Sequence, residues 1–248
     1  MLVLLLLFTV AVWAGIQNAL AGGGSFVTLP ALIFSGLDAR AANIASTLAL
    51  FPGQVTTGWV GRKLVSGAAG LKFVHLALIS LAGGAIGAAL LLLTPTKFFA
   101  HLVPWLVLFA TGLFAYGSFF RKPGESVHPI GARLAGALQF LIAVYGGYFG
   151  GGIGFLMLAA LTAAGVAVRV AGSTKNVLAA VMNAAAVLVF LFTPHIPWLR
   201  VAVVCVGAIA GGYVGAILLK RVDERLIRGF VVVLGVCLSI GLFVRGSH

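Results

Sequence analysis

Acidic side chains are scarce in this sequence, and charge of either sign is rare. Its 248 residues include 4 Asp and Glu and 16 Lys and Arg, so that 8% are charged and 62% are hydrophobic. A water-soluble domain carries about 25% charged residues because its surface must be hydrated. A chain with so little polar surface must expose its outside to lipid instead. Water-soluble classes of protein are therefore excluded.

Cysteine is also rare, and no catalytic or metal-binding motif is present. Cys205 and Cys237 lie within apolar runs without CxxC or Cys/His spacing, so we interpret them as small hydrophobic residues. No HExxH motif, intramembrane acid pair or Ser/His/Asp set occurs in the apolar runs. We therefore expect no enzyme activity, no catalytic residue, no cofactor and no metal site.

The net charge of +12 fits a membrane protein better than a nucleic-acid-binding protein. Basic residues of membrane proteins collect in cytoplasmic loops that face anionic lipid, so we expect the lipid bilayer and not nucleic acid as a partner. When successive apolar segments alternate across the membrane from an outer N-terminus, the basic residues that fall outside are Arg40, Lys97, Arg200 and Arg245. This positive-inside distribution predicts a multi-pass protein with its N-terminus outside. The oligomeric state is left open.

The chain contains two copies of one unit. Residues 21–24 (Ala-Gly-Gly-Gly) reappear as residues 149–152 (Phe-Gly-Gly-Gly), and residues 82–87 (AGGAIG) reappear as residues 210–215 (AGGYVG). Both pairs share one offset of 128 residues (22 to 150), which chance matches between common glycines would not produce. The predicted organisation is a first repeat at 1–120, a cytoplasmic linker at 121–132, a second repeat at 133–245, and a tag remnant at 246–248.

The first charge-free run of each copy is too long for one membrane crossing. It covers residues 1–37 in the first copy and 134–168 in the second, whereas one spanning helix needs about 20 residues. The triple glycine splits each run, because glycine tolerates positive φ and weakens a helix. A short segment follows each break, at about 25–35 and 153–164. The break leaves open whether the short segments cross fully or return as hairpins.

These patterns predict an all-α polytopic membrane protein with two inverted-topology repeats of about five helical segments each. An odd number of crossings in each copy inverts the second copy relative to the first, as in many secondary transporters. The glycine-broken short helices would then lie near the membrane midplane and point toward each other. The runs AGGAIG and AGGYVG lie in full-length segments, where small residues favour close helix packing.

The glycine breaks are the predicted binding site. Free backbone N–H groups and the positive end of the helix dipole make a helix start suited to an anion. Polar residues in the third segment of each copy would line the same path. Packing is the alternative for the glycines, and Lys175 could instead extend to the headgroups. The predicted substrate-binding residues are Asn18, Gly22, Gly23, Gly24, Ser25, Asn43, Ser46, Thr47, Gly150, Gly151, Gly152, Ile153, Ser173, Thr174, Lys175 and Asn176.

The distribution of carboxylates favours an anionic substrate. Asp38, Glu125, Asp223 and Glu224 all map to loops, while carriers coupled to protons or cations usually place a carboxylate within the membrane. We therefore expect a small anion, carried by alternating access between two opposed helix N-termini. Two other classes of function remain open. The protein could be a passive anion channel, or it could be a structural membrane protein in which the glycines serve packing only.

The motifs together resemble the TauE/SafE (TSUP) family of sulfite and organosulfonate exporters over nearly the whole chain. The matching runs are AGGGS at 21–25, LPAL at 29–32, ANIAST at 42–47, LFPG at 50–53, GGGIG at 150–154 and AGSTKN at 171–176. The second copy has Leu158 where the first has Pro30, so the two half-sites need not be equivalent. The resemblance implies a permease of the bacterial cytoplasmic (inner) membrane that exports sulfite, sulfoacetate or another sulfonate.

Overall fold

The computed structural model describes residues 1–20, 23–116 and 130–218, together with positions 229, 232, 233, 236, 237, 240 and 241. Within these residues the chain forms nine α-helices and no β-strand, which confirms the predicted all-α fold. The helices are α1 (Leu2–Leu20), α2 (Ser25–Phe34), α3 (Ala39–Gly61), α4 (Phe73–Leu93), α5 (Thr96–Ala115), α6 (Ala132–Tyr148), α7 (Ile153–Ala163), α8 (Val168–Phe190) and α9 (Trp198–Leu218). Most of the predicted linker, most of the tenth segment and the tag remnant lie outside the described residues.

The helices have the lengths and surfaces of a membrane protein. Among the described helices, three are long and apolar enough to cross a bilayer: Phe73–Leu93, Val168–Phe190 and Trp198–Gly215. The helices α2 and α7 have 10 and 11 residues, which is about half of the ~30 Å hydrocarbon core at about 1.5 Å per residue. Large apolar side chains such as Trp59, Leu78 and Val206 are exposed on the outside, where lipid would cover them.

The interruptions before α2 and α7 occur at the predicted glycines but have different backbones. Gly23 has φ 84°, and Gly150 and Gly152 have φ 81° and 75°, all in the left-handed region that favours glycine. The residue that precedes α2 is Gly24, which is right-handed with φ −52°, whereas its counterpart Gly152 is left-handed. The two breaks therefore share their positions in the sequence but not their conformation.

The first and fourth helices of each copy pack against the other copy. At Gly211 of α9 a Cβ atom would collide with the carbonyl oxygen of Val12 in α1, and at Gly87 of α4 it would collide with that of Val144 in α6. Such contacts bring backbones together, as the sequence predicts for the AGGAIG and AGGYVG runs. The α1–α9 pair and the α4–α6 pair therefore make the same kind of close backbone contact between the two copies.

The third helices of the two copies meet in opposite directions. Asn183 Nδ2 in α8 donates a hydrogen bond to Gln54 Oε1 in α3 at 2.6 Å. Farther along α3, the position of a Cβ atom at Gly61 lies 3.4 Å from Ser173 Cβ. Residue numbers thus rise along α3 as they fall along α8, and the helices are antiparallel. Equivalent helices must run this way in an inverted repeat, which supports that prediction; the division into repeats 1–120 and 133–245 itself stays a prediction.

Candidate functional site

The first glycine break is held by polar contacts at the end of α1. Gln17 Nε2 donates a hydrogen bond to the carbonyl oxygen of Gly23 at 3.1 Å. Asn18 Cβ lies 3.3 Å from the position of a Cβ atom at Gly24, so the predicted residue Asn18 does lie beside the break. The predicted residue Ser25 begins α2. The predicted residue Gly22 is outside the described part of the chain.

The polar face of α3 connects to both breaks. Asn43 Nδ2 donates to the carbonyl oxygen of Tyr148, the last residue of α6, at 3.0 Å. Ser46 Oγ lies 2.6 Å from Thr28 Oγ1 in α2. Asn43 and Ser46 are 2% and 1% exposed, so these hydrogen bonds are buried. Thr47 Oγ1 instead donates a hydrogen bond to the carbonyl oxygen of Asn43 in its own helix.

One phenyl ring contacts both breaks. The ring of Phe26, which is 2% exposed, lies 2.8 Å from the position of a Cβ atom at Gly23. The Cζ atom of the same ring lies 3.4 Å from the Cβ position at Gly152, which also lies 3.0 Å from Ala110 Cβ in α5. The start of α7 is therefore adjacent to the first turn of α2. A side chain at Gly152 would be strained by its φ and would press on this ring.

The start of α7 combines three groups that favour an anion. Its first turn tightens, because the N–H groups of Phe155 and Leu156 both donate to the carbonyl oxygen of Gly152. Within the described chain, the N–H groups of Ile153 and Gly154 have no acceptor. Lys175 Nζ lies 3.3 Å from the position of a Cβ atom at Gly154. The free amides of Ile153 and Gly154 and the Lys175 amino group therefore lie close together at a helix N-terminus.

The two remaining glycines of the second break shape the chain rather than contact the other half. Gly150 has φ 81°, and only the carbonyl oxygen of Gly146 lies near its Cβ position, at 3.5 Å. The Cβ position at Gly151 is 2.6 Å from the ring of Phe149, which is 2% exposed. Gly150 turns the chain out of α6, and Gly151 leaves room for the buried ring.

The other polar residues near the start of α8 contact α3 and the segment after it. Ser173 packs against Gly61, and the carbonyl oxygen of Asn176 lies 3.4 Å from the Cβ position at Gly58. Thr174, which is 0% exposed, accepts a hydrogen bond at 3.1 Å from a backbone N–H in the connection between α3 and α4. These three residues pack α8 against α3 and the segment after it. Lys175 contacts the start of α7.

Two open cavities occupy matching places away from the breaks. One, of about 520 Å³, lies between residues 66–72 and residues 164–170. The other, of about 430 Å³, lies between Ser35, the start of α1 and residues 197–200. Each cavity is bordered by the connection before a fourth helix and by the segment that follows the other copy's short helix. Lys72 and Arg200, which are 128 residues apart, line one cavity each.

The predicted substrate-binding residues do not include Phe26 and Thr28, which the structure places at the breaks. The Phe26 ring contacts both breaks, and an aromatic residue in an apolar run carries no signal that separates this role from ordinary packing. Thr28 bonds Ser46 across α2 and α3, and its hydroxyl in an apolar run was a weak signal. The partners of both residues depend on packing between distant parts of the chain.

Known proteins resemble this chain over most of its length. Residues 7–242 match the family described as "Sulfite exporter TauE/SafE". "Probable membrane transporter protein ORF9" of Sinorhizobium sp. is 30% identical over 253 residues, which cover 98% of this chain and 93% of that protein. "Probable membrane transporter protein" of Haemophilus influenzae is 29% identical, with 93% and 91% covered. "Probable membrane transporter protein YfcA" of Escherichia coli K12 is 29% identical, with 100% and 91% covered.

Proposed function

The chain belongs to the sulfite exporter TauE/SafE family, and on that premise we propose that it is a bacterial secondary transporter of a small sulfur-containing anion. Sulfite, sulfoacetate or another sulfonate would bind between the starts of α2 and α7 and leave the cell by alternating access. The proposal includes location in the cytoplasmic membrane with the N-terminus outside. The substrate is moved without chemical change, so the protein is not an enzyme.

The observation that carries this proposal is the position of Lys175 at the start of α7. Its Nζ atom lies beside Gly154, where backbone amides are free. The described part of the chain contains one carboxylate, Asp38, which accepts hydrogen bonds at the start of α3 and is therefore engaged elsewhere. A charged lysine within the membrane is stabilised by an anionic partner, and here the substrate would supply that partner. Two unit charges at 4 Å attract by about 4 kcal/mol at an effective dielectric constant of about 20, before desolvation is subtracted.

The arrangement of the helices supports alternating access. The two halves make equivalent contacts with each other. The helices α3 and α8 pack antiparallel, and α1 packs on α9 as α6 packs on α4. A site between two such halves can open to either side when one half rocks against the other. Asn43 in α3 donates a hydrogen bond to the end of α6, so a movement of one half against the other would change this contact beside the proposed site.

Counterflow in proteoliposomes tests transport. Vesicles loaded with unlabelled sulfoacetate should accumulate labelled sulfoacetate from outside when they contain the wild-type protein. A passive channel would only equilibrate the label, and a structural protein would give the flux of empty vesicles. The proposal would be abandoned if neither sulfoacetate nor sulfite produced counterflow. A thermal-shift panel of sulfite, thiosulfate, sulfoacetate, taurine and sulfate would identify the substrate.

Lys175→Met tests the site itself. Loss of the charge should weaken substrate binding at least tenfold, or about 1.4 kcal/mol, because desolvation offsets part of the attraction estimated above. Lys97→Met is the matched control, since Lys97 is an exposed lysine in the first turn of α5. Equal affinities for Lys175→Met and wild type would remove Lys175 from the site.

A further inference from the structure

Within the described residues, two buried polar atoms beside the glycine breaks have no hydrogen-bond partner. They are Gln17 Oε1 and Tyr145 Oη; a third such atom, Thr193 Oγ1, lies after the end of α8. Gln17 is 1% exposed, so its amide oxygen has no access to the outer surface. Buried polar groups nearly always have a hydrogen-bond partner, so an unpartnered atom beside the proposed site is available to a group of the substrate.

The chemistry of the missing partner at Gln17 follows from the bond that it does make. Its Nε2 atom donates to the carbonyl oxygen of Gly23. If the amide were turned over, two acceptors would face each other, so Nε2 must take this place. Oε1 is then directed elsewhere, and as an acceptor it can be satisfied only by an O–H or N–H donor.

Gln17 and Tyr145 occupy the same position in the two copies. They differ by the same 128 residues that relate Leu20 to Tyr148, the ends of α1 and α6, and that relate the starts of α2 and α7. Each therefore lies three residues before its helix ends. Both copies therefore place an unpartnered polar atom at the equivalent position, although the two side chains differ.

Each of the two residues is linked by contacts to one of the breaks. Gln17 bonds Gly23, against which the ring of Phe26 packs, and the same ring reaches Gly152. On the other side, the rings of Tyr145 and Phe149 lie 5.9 Å apart between centroids, and Phe149 packs against Gly151.

We propose that Gln17 and Tyr145 determine which anion the site accepts. Gln17 Oε1 accepts a hydrogen bond from an O–H or N–H group of the substrate, and the Tyr145 hydroxyl donates to its oxyanion. The preferred substrate is then a sulfonate or related monoanion that also carries a hydrogen-bond donor. This inference rests on the proposed transport of a sulfur-containing anion and adds a requirement to it.

Two sulfonates of the same size test the requirement. 2-Hydroxyethanesulfonate and propane-1-sulfonate have equal numbers of non-hydrogen atoms, and only the first has a hydroxyl donor on its chain. Wild-type protein should bind the hydroxy compound at least about tenfold more tightly, since a site with a buried polar group discriminates against a ligand that leaves it unpaired. Equal affinities would overturn the inference, and they would also be the result if a water satisfied Gln17 Oε1.

Substitutions at Gln17 and Tyr145 test which residue is responsible for the difference in affinity between the two sulfonates. Gln17→Met should bring the ratio of the two affinities close to one, mainly by weakening the hydroxy compound. Gln139→Met is the matched control, because Gln139 is also buried but donates to Ser80, and its ratio should stay that of wild type. Tyr145→Phe should weaken both sulfonates by a similar factor. A Gln17→Met protein that keeps the wild-type ratio would remove Gln17 from this role.

The outcomes separate the two proposals. If wild-type protein binds neither sulfonate, nor sulfite or sulfoacetate, the proposed function fails. If it binds the two sulfonates equally well, the proposed function stands and the donor requirement fails. The wild-type comparison needs no variant, so the inference is testable even if Gln17→Met does not fold.

Discussion

Replacing Gly211 with alanine is expected to weaken the contact between α1 and α9, whereas the same change at Gly212 should not. At Gly211 the new methyl group would overlap the carbonyl oxygen of Val12. At Gly212, the next residue along α9, no atom of the described residues lies within 4 Å of the Cβ position. The two substitutions are chemically identical and adjacent, so they differ only in what the methyl group meets.

The size of the difference follows from two effects. Alanine favours a helix over glycine by about 1 kcal/mol, and Gly212→Ala should gain up to that amount. Gly211→Ala has the same propensity gain, but the overlap with a backbone atom cannot be relieved by a side-chain rotation, so the helices must move apart. Overpacking of this kind costs about 1–3 kcal/mol. Gly211→Ala should therefore be less stable than Gly212→Ala by about 1–3 kcal/mol, because the propensity gain is common to both.

Thermal unfolding in one detergent, followed by the loss of monodisperse protein on size exclusion, measures this order. Gly212→Ala should unfold at or above the wild-type temperature and Gly211→Ala several degrees below it. If the two variants unfolded together, the close approach of α1 and α9 at Gly211 would be refuted. Transport assays on the same samples would show whether this contact also limits the movement of the two halves.

Two further predictions concern the second break and the contact between the halves. Gly150→Ala should destabilise the protein by about 1–2 kcal/mol through its φ of 81°, and Gly150→Asn by less, since asparagine tolerates the left-handed region; unfolding temperatures in the opposite order would contradict this. Asn183→Leu should cost about 1–3 kcal/mol because Gln54 Oε1 loses its buried donor, and Gln54→Leu in the same chain should recover part of the loss; a double-mutant cycle without coupling would contradict it.

The helix breaks could be predicted from the sequence because their cause is local. A triple glycine within an apolar run interrupts a helix wherever the run lies, and both α2 and α7 begin directly after their glycines. The lengths of the short helices followed from the same signal. The start of α3 was equally local, since Asp38 accepts hydrogen bonds from the N–H groups of Arg40 and Ala41.

The directions of side chains in α8 could not be predicted in this way. Successive residues of a helix point about 100° apart, so neighbours in the sequence face different parts of the fold. Ser173 contacts the end of α3, Thr174 contacts the α3–α4 connection, and Lys175 contacts the start of α7. The sequence identified the polar cluster, but which member meets the anion site depends on the helices that surround α8.

By itself, the sequence determined that this protein is an all-α membrane protein with two glycine-broken short helices, and it predicted that these helices belong to two copies of one unit. Composition, periodicity and glycine conformation are properties of neighbouring residues, and they act before distant segments meet. The tertiary structure decided that Phe26 contacts both breaks, that Lys175 reaches Gly154, and that Gln17 and Tyr145 have an unpartnered atom within the described part of the chain. Each of these contacts joins parts of the chain whose distance depends on how all the helices pack.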